Sequence, residues 1–143
     1  MNTLDKAKEL LHKGKYTCVL IKDNIEYTSS DRGVKPLLDL MKSGIDFKEC
    51  SAADKVVGKA AAYLYVLLGV KEIYAVIISE PAYEVLKMYG IDIYYESVVP
   101  AIRNRDNTGY CPMETSVLDI DNPDDAYKMI IYTRDRLAKN AGI

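Results

Sequence analysis

Tryptophan is absent from this chain, phenylalanine occurs once, and histidine occurs once, at His12. A mechanism that needs two or more imidazoles, as metal ligands or as an acid and a base, is thereby excluded. Cysteine is scarce as well: Cys18, Cys50 and Cys111 are odd in number, far apart and never in a C-x-x-C pair. That argues against a disulfide framework and a zinc knuckle, and fits a reducing, cytoplasmic compartment. No charge of one sign dominates, since 19 basic residues face 21 acidic ones and the formal net charge is −2. The electrostatic footprint of a nucleic-acid or lipid-surface binder is missing, so a small ligand or another protein is the expected partner. The longest apolar run, 60–68, is too short to span a bilayer, and MNTLDKAKELL has no basic segment followed by a long apolar one.

What is present reads as one globular domain over 1–143, with 49% hydrophobic and 28% charged residues. Thr3 is positioned to cap a first helix running to about Lys13, with Gly14 at its stop and His12 beside its last carbonyls. YTCVLIK and IEYTSS flank Asp23-Asn24, a two-residue connection that predicts a β-hairpin. A short helix follows, with Pro36 in its first turn and Gly44 at its end. The stretch 51–69, SAADKVVGKAAAYLYVLLG, predicts a central helix opened by Ser51, apolar almost all round in its second half. IYAVII, EPAYEVLKMYG and IDIYYE then predict a β-α-β unit with parallel strands.

Beyond Ser97 the pattern weakens. VVPAI reads as a helical turn and RNRDNTGYCP as a loop, while METSVLDI fits helix or strand. The last helix is clear: Asn122 caps it, acids lie at its start and bases at its end, and Ala126, Met129, Ile130, Thr133 and Leu137 mark its buried face. The twelve tyrosines bury a ring while keeping a polar tip, so Tyr63, Tyr65, Tyr74, Tyr94 and Tyr95 suit core edges or a subunit contact.

This order of elements resembles the cytidine-deaminase-like fold. The resemblance implies a three-layer α/β/α sandwich with a mixed sheet, the hairpin followed by the parallel β-α-β unit. In zinc deaminases the central helix opens with His-Ala-Glu and the next with Pro-Cys-x-x-Cys. Here Ala52-Ala53-Asp54 and Pro81-Ala82-Tyr83-Glu84-Val85 stand at those corners, so the metal positions fall on Ala52, Ala82 and Val85. None of these side chains can ligate zinc, and neither metal nor other cofactor is expected. Ala82, Val85, Leu86 and Tyr89 instead share one apolar helix face. Three segments, RGVKPLL from Arg32, SAADKVVGKAA from Ser51 and TGYCPME from Thr108, also resemble an uncharacterised bacterial family with this fold.

Several residues carry candidate chemistry. Cys111, before Pro112 and three residues ahead of Glu114, lies at a predicted helix N-terminus, where a thiolate is stabilised; with no base identifiable nearby, an inert thiol at a helix start is the preferred reading. Asp54 matches the deaminase proton shuttle in position, and Ser51…Asp54 also forms a capping-box pattern. Arg32 and Lys35 flank Gly33 ahead of a helix, a cationic arrangement suited to an anion. Arg103 and Arg105, followed by Thr108 and Gly109, supply a second cationic edge, and Lys55 and Lys59 share a predicted helix face. The leading expectation is a zinc-free domain binding a small nucleotide-type or phosphorylated ligand. A metal-independent enzyme using Cys111 with Asp54 or Glu114, and a homo-oligomeric interaction module without ligand, are the alternatives.

Overall fold

The computed structural model describes residues 2–104 and 109–140. Arg105 and Thr108 lie outside them. The chain runs α1 (Thr3–Lys13), β1 (Cys18–Lys22), β2 (Ile25–Ser29), α2 (Lys35–Ser43), β3 (Ser51–Val57), α3 (Lys59–Leu68), β4 (Glu72–Ser79), α4 (Glu80–Met88), β5 (Asp92–Val99), α5 (Pro112–Ser116) and α6 (Pro123–Asn140). The sheet order is β2-β1-β3-β4-β5. β1 is antiparallel to both β2 and β3, whereas β3, β4 and β5 are parallel, so the mixed sheet is a hairpin joined to a parallel unit as expected.

Apolar side chains alternate between the two faces of the sheet and attract helices to each. Leu4, Ala7 and Leu11 of α1 pack on Val19, Ile21, Ala53 and Tyr74. On the other face Leu20, Ala52, Ile73 and Ile78 meet the larger helical layer, including Leu37, Leu64, Leu86 and Ile130. The result is three layers, with the main core between the sheet and α3. Among the described residues no helix is long and apolar enough to cross a membrane.

The main departure from expectation is the stretch 51–57, which forms β3 rather than the start of the central helix. Ala52, Ala53 and Val57 are buried although they face opposite sides, because β3 lies inside the sheet with helices on both faces. Such a strand has no polar-apolar alternation, and its alanines imitate a helix. The helix begins only after Gly58, and it is the central one: Ala60 to Tyr65 are all buried. Ser51 therefore caps nothing; its hydroxyl lies 2.6 Å from that of Thr3 and also bonds Glu72.

Smaller corrections follow from local geometry. α1 is capped by Asn2, whose Oδ1 accepts from the Asp5 amide at 2.8 Å, and not by Thr3. Val98 and Val99 continue β5 instead of forming a helical turn, and the strand stops at Pro100, which has no amide to donate. In 112–120 the first five residues form α5 and 117–119 are turns. Asn122 caps α6 as expected, accepting from the Asp125 amide at 2.9 Å. Ala126, Ile130 and Thr133 form its buried stripe, but Met129 and Leu137, both 37% exposed, flank or overrun the contact. Tyr63, Tyr65 and Tyr74 are buried, while Tyr94 and Tyr95 stay exposed on the edge strand β5.

Leu64→Ala, at a fully enclosed position of α3, should cost about 2–5 kcal/mol, read as a lower urea midpoint. A cost below about 1 kcal/mol contradicts the placement of α3 at the centre of the core.

Candidate functional site at the carboxyl edge of the sheet

The parallel strands β3, β4 and β5 end at Val57, Ser79 and Val99, and β2 points the same way because two antiparallel pairings separate it from β3. One sheet edge therefore collects the segments after β2, β3, β4 and β5. Open α/β sheets hold ligands outside the carboxyl ends of their strands. The candidate residues of the sequence mostly converge on this edge.

Thr17, just before β1, ties the segment after β2 to the last part of β3. Its carbonyl accepts from the Lys55 amide at 3.0 Å, and its hydroxyl donates to the Asp31 carbonyl. Arg32 and Lys55 are exposed, and among the described residues neither has an ion-pair partner. Lys35 differs: its ammonium is bracketed by Asp39 at 2.9 Å and Asp31 at 3.3 Å, and hydrogen bonds from those carboxylates raise its pKa. Lys55 and Lys59 do not share a helix face, because the strand-to-helix break at Gly58 separates them. Lys59 Nζ donates to the Leu118 carbonyl at 2.7 Å.

The segment after β5 folds back over the same edge. Arg103 forms an isolated antiparallel bridge with Tyr110, its guanidinium 5.4 Å from the ring centroid. The Asn104 amide donates to the Gly109 carbonyl at 3.0 Å, and the Cys111 amide to that of Ile102 at 3.2 Å. Cys111 is half-buried at the N-cap of α5, as expected, but its side chain caps no amide.

Glu114 fastens this return to the central helix. Its Oε1 accepts from the Lys59 amide and its Oε2 from the Ala60 amide at 3.0 Å. Gly58 makes the approach possible, since a Cβ there would lie 2.3 Å from the carboxyl carbon. Burial pushes the Glu114 pKa up, opposed by the two amides that the carboxylate accepts from. Both oxygens are thus committed to capping α3.

Asp54 is also inside the structure. On β3 it faces Cys18 of β1 in register and is 8% exposed. Tyr65 of α3 donates to its Oδ2 at 2.6 Å, and the Val56 amide to its Oδ1 at 3.2 Å. Cys18 Sγ completes the group, 3.4 Å from the Tyr65 hydroxyl. Burial pushes the Asp54 pKa up to about 7 despite these donors. No hydrogen bond links Asp54 to Cys111 among the described residues.

At the start of α4, the Ser79 hydroxyl accepts from the Ala82 amide at 3.2 Å. Ala82, Val85 and Leu86 are buried as expected, while Tyr89 is exposed at the helix end. The first corner moves from Ala52-Ala53-Asp54 to Gly58-Lys59-Ala60, where α3 actually begins. Zinc fits neither corner, since glycine, alanine and valine have no donor side chain and the Lys59 ammonium offers no lone pair. Among the described residues no three His, Cys, Asp or Glu side chains converge to hold a metal.

Two grooves mark the surface, the first reaching the carboxyl edge at Lys59 and Pro81. One of about 230 Å³ separates α3 from α4, between Lys59, Tyr63, Pro81 and Glu84. The other, about 590 Å³ and wide open, lies on the α1 face beside His12, Tyr74 and Glu96. There His12 Nε2 is 3.2 Å from the Tyr74 hydroxyl, which donates to Glu96, so the single imidazole does more than face helix carbonyls. Sequence reasoning placed Tyr65 at a core edge but assigned neither it nor Cys18 and Gly58 to a site. Only Gly58 left a signal, a glycine between a β-branched pair and an alanine run.

Gly58→Ala and Glu114→Ala should each lower stability by about 1–3 kcal/mol. Because both remove one contact, the double variant should lose less than the sum; additive losses in urea titrations contradict the cap. Asp54 generates a second prediction. Between about pH 4 and 7 the folded protein retains a proton that the unfolded chain has lost. Its contribution therefore falls as pH rises through that window, by up to about 1.4 kcal/mol per unit, and is gone above about 7. Asp54→Asn should gain stability over the parent as pH rises from 5 to 8. A constant difference between the two proteins refutes this.

No curated protein matches the chain. The crystal structure of a DUF1893 family protein from Thermotoga maritima superimposes with a TM-score of 0.85 at 30% identity, covering 92% of this chain and 89% of that one. The dCMP deaminase from the cyanophage S-TIM5, in apo form, gives a TM-score of 0.45 at 13% identity, covering 65% of this chain and 93% of that one. The family model described as "TM1506: Domain of unknown function (DUF1893)" matches residues 6–132, and the chain belongs to that family.

Proposed function

We propose that the protein is a zinc-free, cytoplasmic small-molecule-binding domain that takes a phosphorylated, nucleotide-type ligand at the carboxyl edge of its sheet. The observation that carries this reading is the pair Arg32 and Lys55. They belong to different elements whose backbones Thr17 ties together, at the Lys55 amide and at the Asp31 carbonyl beside Arg32, and are exposed without carboxylate partners among the described residues. Two cations held at the ends of parallel strands suit the spread charge of a phosphate. Arg103, on the segment that closes over this edge, extends the cationic surface. Lys35, already bracketed by Asp31 and Asp39, contributes less.

The thiol-enzyme reading has less support. Cys111 needs a proton carrier, but Glu114 has both oxygens on α3 amides and Asp54 is enclosed by Tyr65 and β1. For the interaction-module reading, the exposed Tyr94 and Tyr95 on the unpaired edge of β5 are the supporting observation. A homo-oligomer through that edge is compatible with ligand binding at the carboxyl end.

Isothermal titration against pyrophosphate, nucleoside mono- and diphosphates and ribose 5-phosphate tests the proposal. At least one should bind, and Arg32→Ala or Lys55→Ala should each weaken it about tenfold. Absence of binding across the panel, or equal affinity of both variants and the parent, overturns it.

A further inference from the structure

We propose that Asp54, Tyr65 and Cys18 form a proton-operated latch that fastens α3 to β1 and β3. The three side chains come from three elements and meet inside the core: β3 supplies the carboxyl, β1 the thiol opposite it in register, and α3 the hydroxyl that touches both. Cys18 and Tyr65 are 2% and 0% exposed. This site lies within the fold and is independent of the cationic surface outside it.

The surroundings make the proton decisive. On β1 the facing group is the Cys18 thiol, and on α3 the Tyr65 phenol. Cys50, ahead of β3, and Tyr27 of β2 act only through Cys18. β4 places Ala75 beside Asp54. No lysine or arginine side chain acts on any of the three among the described residues; the Lys55 contribution is its backbone amide. An ionised Asp54 is therefore a buried anion held only by neutral donors, a condition that proteins relieve by protonation or by admitting water.

The hydrogen-bond chain has two directions. With Asp54 ionised, Tyr65 donates to the carboxylate and the Cys18 thiol donates to the Tyr65 oxygen. With Asp54 protonated, the carboxyl donates to the Tyr65 oxygen and Tyr65 donates to the Cys18 sulfur. The change moves one proton between Asp54 and bulk water and reverses the two hydrogen bonds; no other covalent bond is made or broken. The neutral form leaves the α3 contact dry. The ionised form draws water towards Asp54, and a parting of α3 from β1 and β3 admits it. The burial that lifts Asp54 to about 7 places this change near neutral pH.

Carboxyl-detected NMR of Asp54, with amide exchange along α3, tests the latch. In the parent the Asp54 resonance should titrate near neutral pH. Exchange at Leu64 to Val66, corrected for base catalysis, should speed up about tenfold across the same interval, and Asp54→Asn should abolish that acceleration. Tyr65→Phe removes the donor to the carboxylate and should move the Asp54 midpoint upwards. The latch is refuted by an Asp54 midpoint in the ordinary carboxylate range, by pH-independent exchange on α3, by the same acceleration in Asp54→Asn, or by an unmoved midpoint in Tyr65→Phe.

Discussion

Both carboxylate oxygens of Glu114 accept from the first amides of α3, and the character of the carboxyl edge follows from that contact. A helix start leaves amides without partners, and burying them unpaired is costly. Here a residue some fifty positions later supplies the acceptor, at a glycine that lets it approach. The same contact anchors α5, and through it the segment returning from β5. It also fills the place where an external anion would otherwise meet the α3 dipole. For the proposed ligand, positive charge would then come from side chains such as those of Arg32 and Lys55.

Ionisable groups at this end of the molecule thus divide into two sets. Glu114 and Asp54 face inwards, and each is occupied by donors from α3 or the backbone beside it. Arg32, Lys55 and Arg103 are exposed, Arg103 with its guanidinium beside the Tyr110 ring. This division supports the proposed binding role over the thiol-enzyme reading, because the carboxylates that a Cys111 nucleophile would need are engaged in holding the fold. The starts of α3 and α4 are both filled from within: one is closed by a carboxylate cap, and the other packs Ala82, Val85 and Leu86 into the core.

Elements whose ends carry their own chemistry were legible in the sequence. Asp23-Asn24, Pro36 with Gly44, and Asn122 each specify a turn or helix end locally, and those elements stand where expected. The parallel β4-α4-β5 unit was readable from its spacing. β3 was not, because a strand covered on both faces loses the alternation that identifies a strand, and only Gly58 marked its end. The cationic residues of the site could be named from loop composition. Their convergence through Thr17, and the meeting of Asp54 with Tyr65 and Cys18, depend on strand order and on the pose of α3, which no local pattern encodes.

The account places ligand recognition at the carboxyl edge, and chemical-shift mapping with a phosphorylated ligand tests that placement most directly. Amide shifts should concentrate at Thr17, Arg32 to Lys35, Lys55 to Lys59 and the segment around Arg103 and Cys111, leaving the α1-face groove at His12, Tyr74 and Glu96 silent. Shifts centred on that opposite groove would contradict the account.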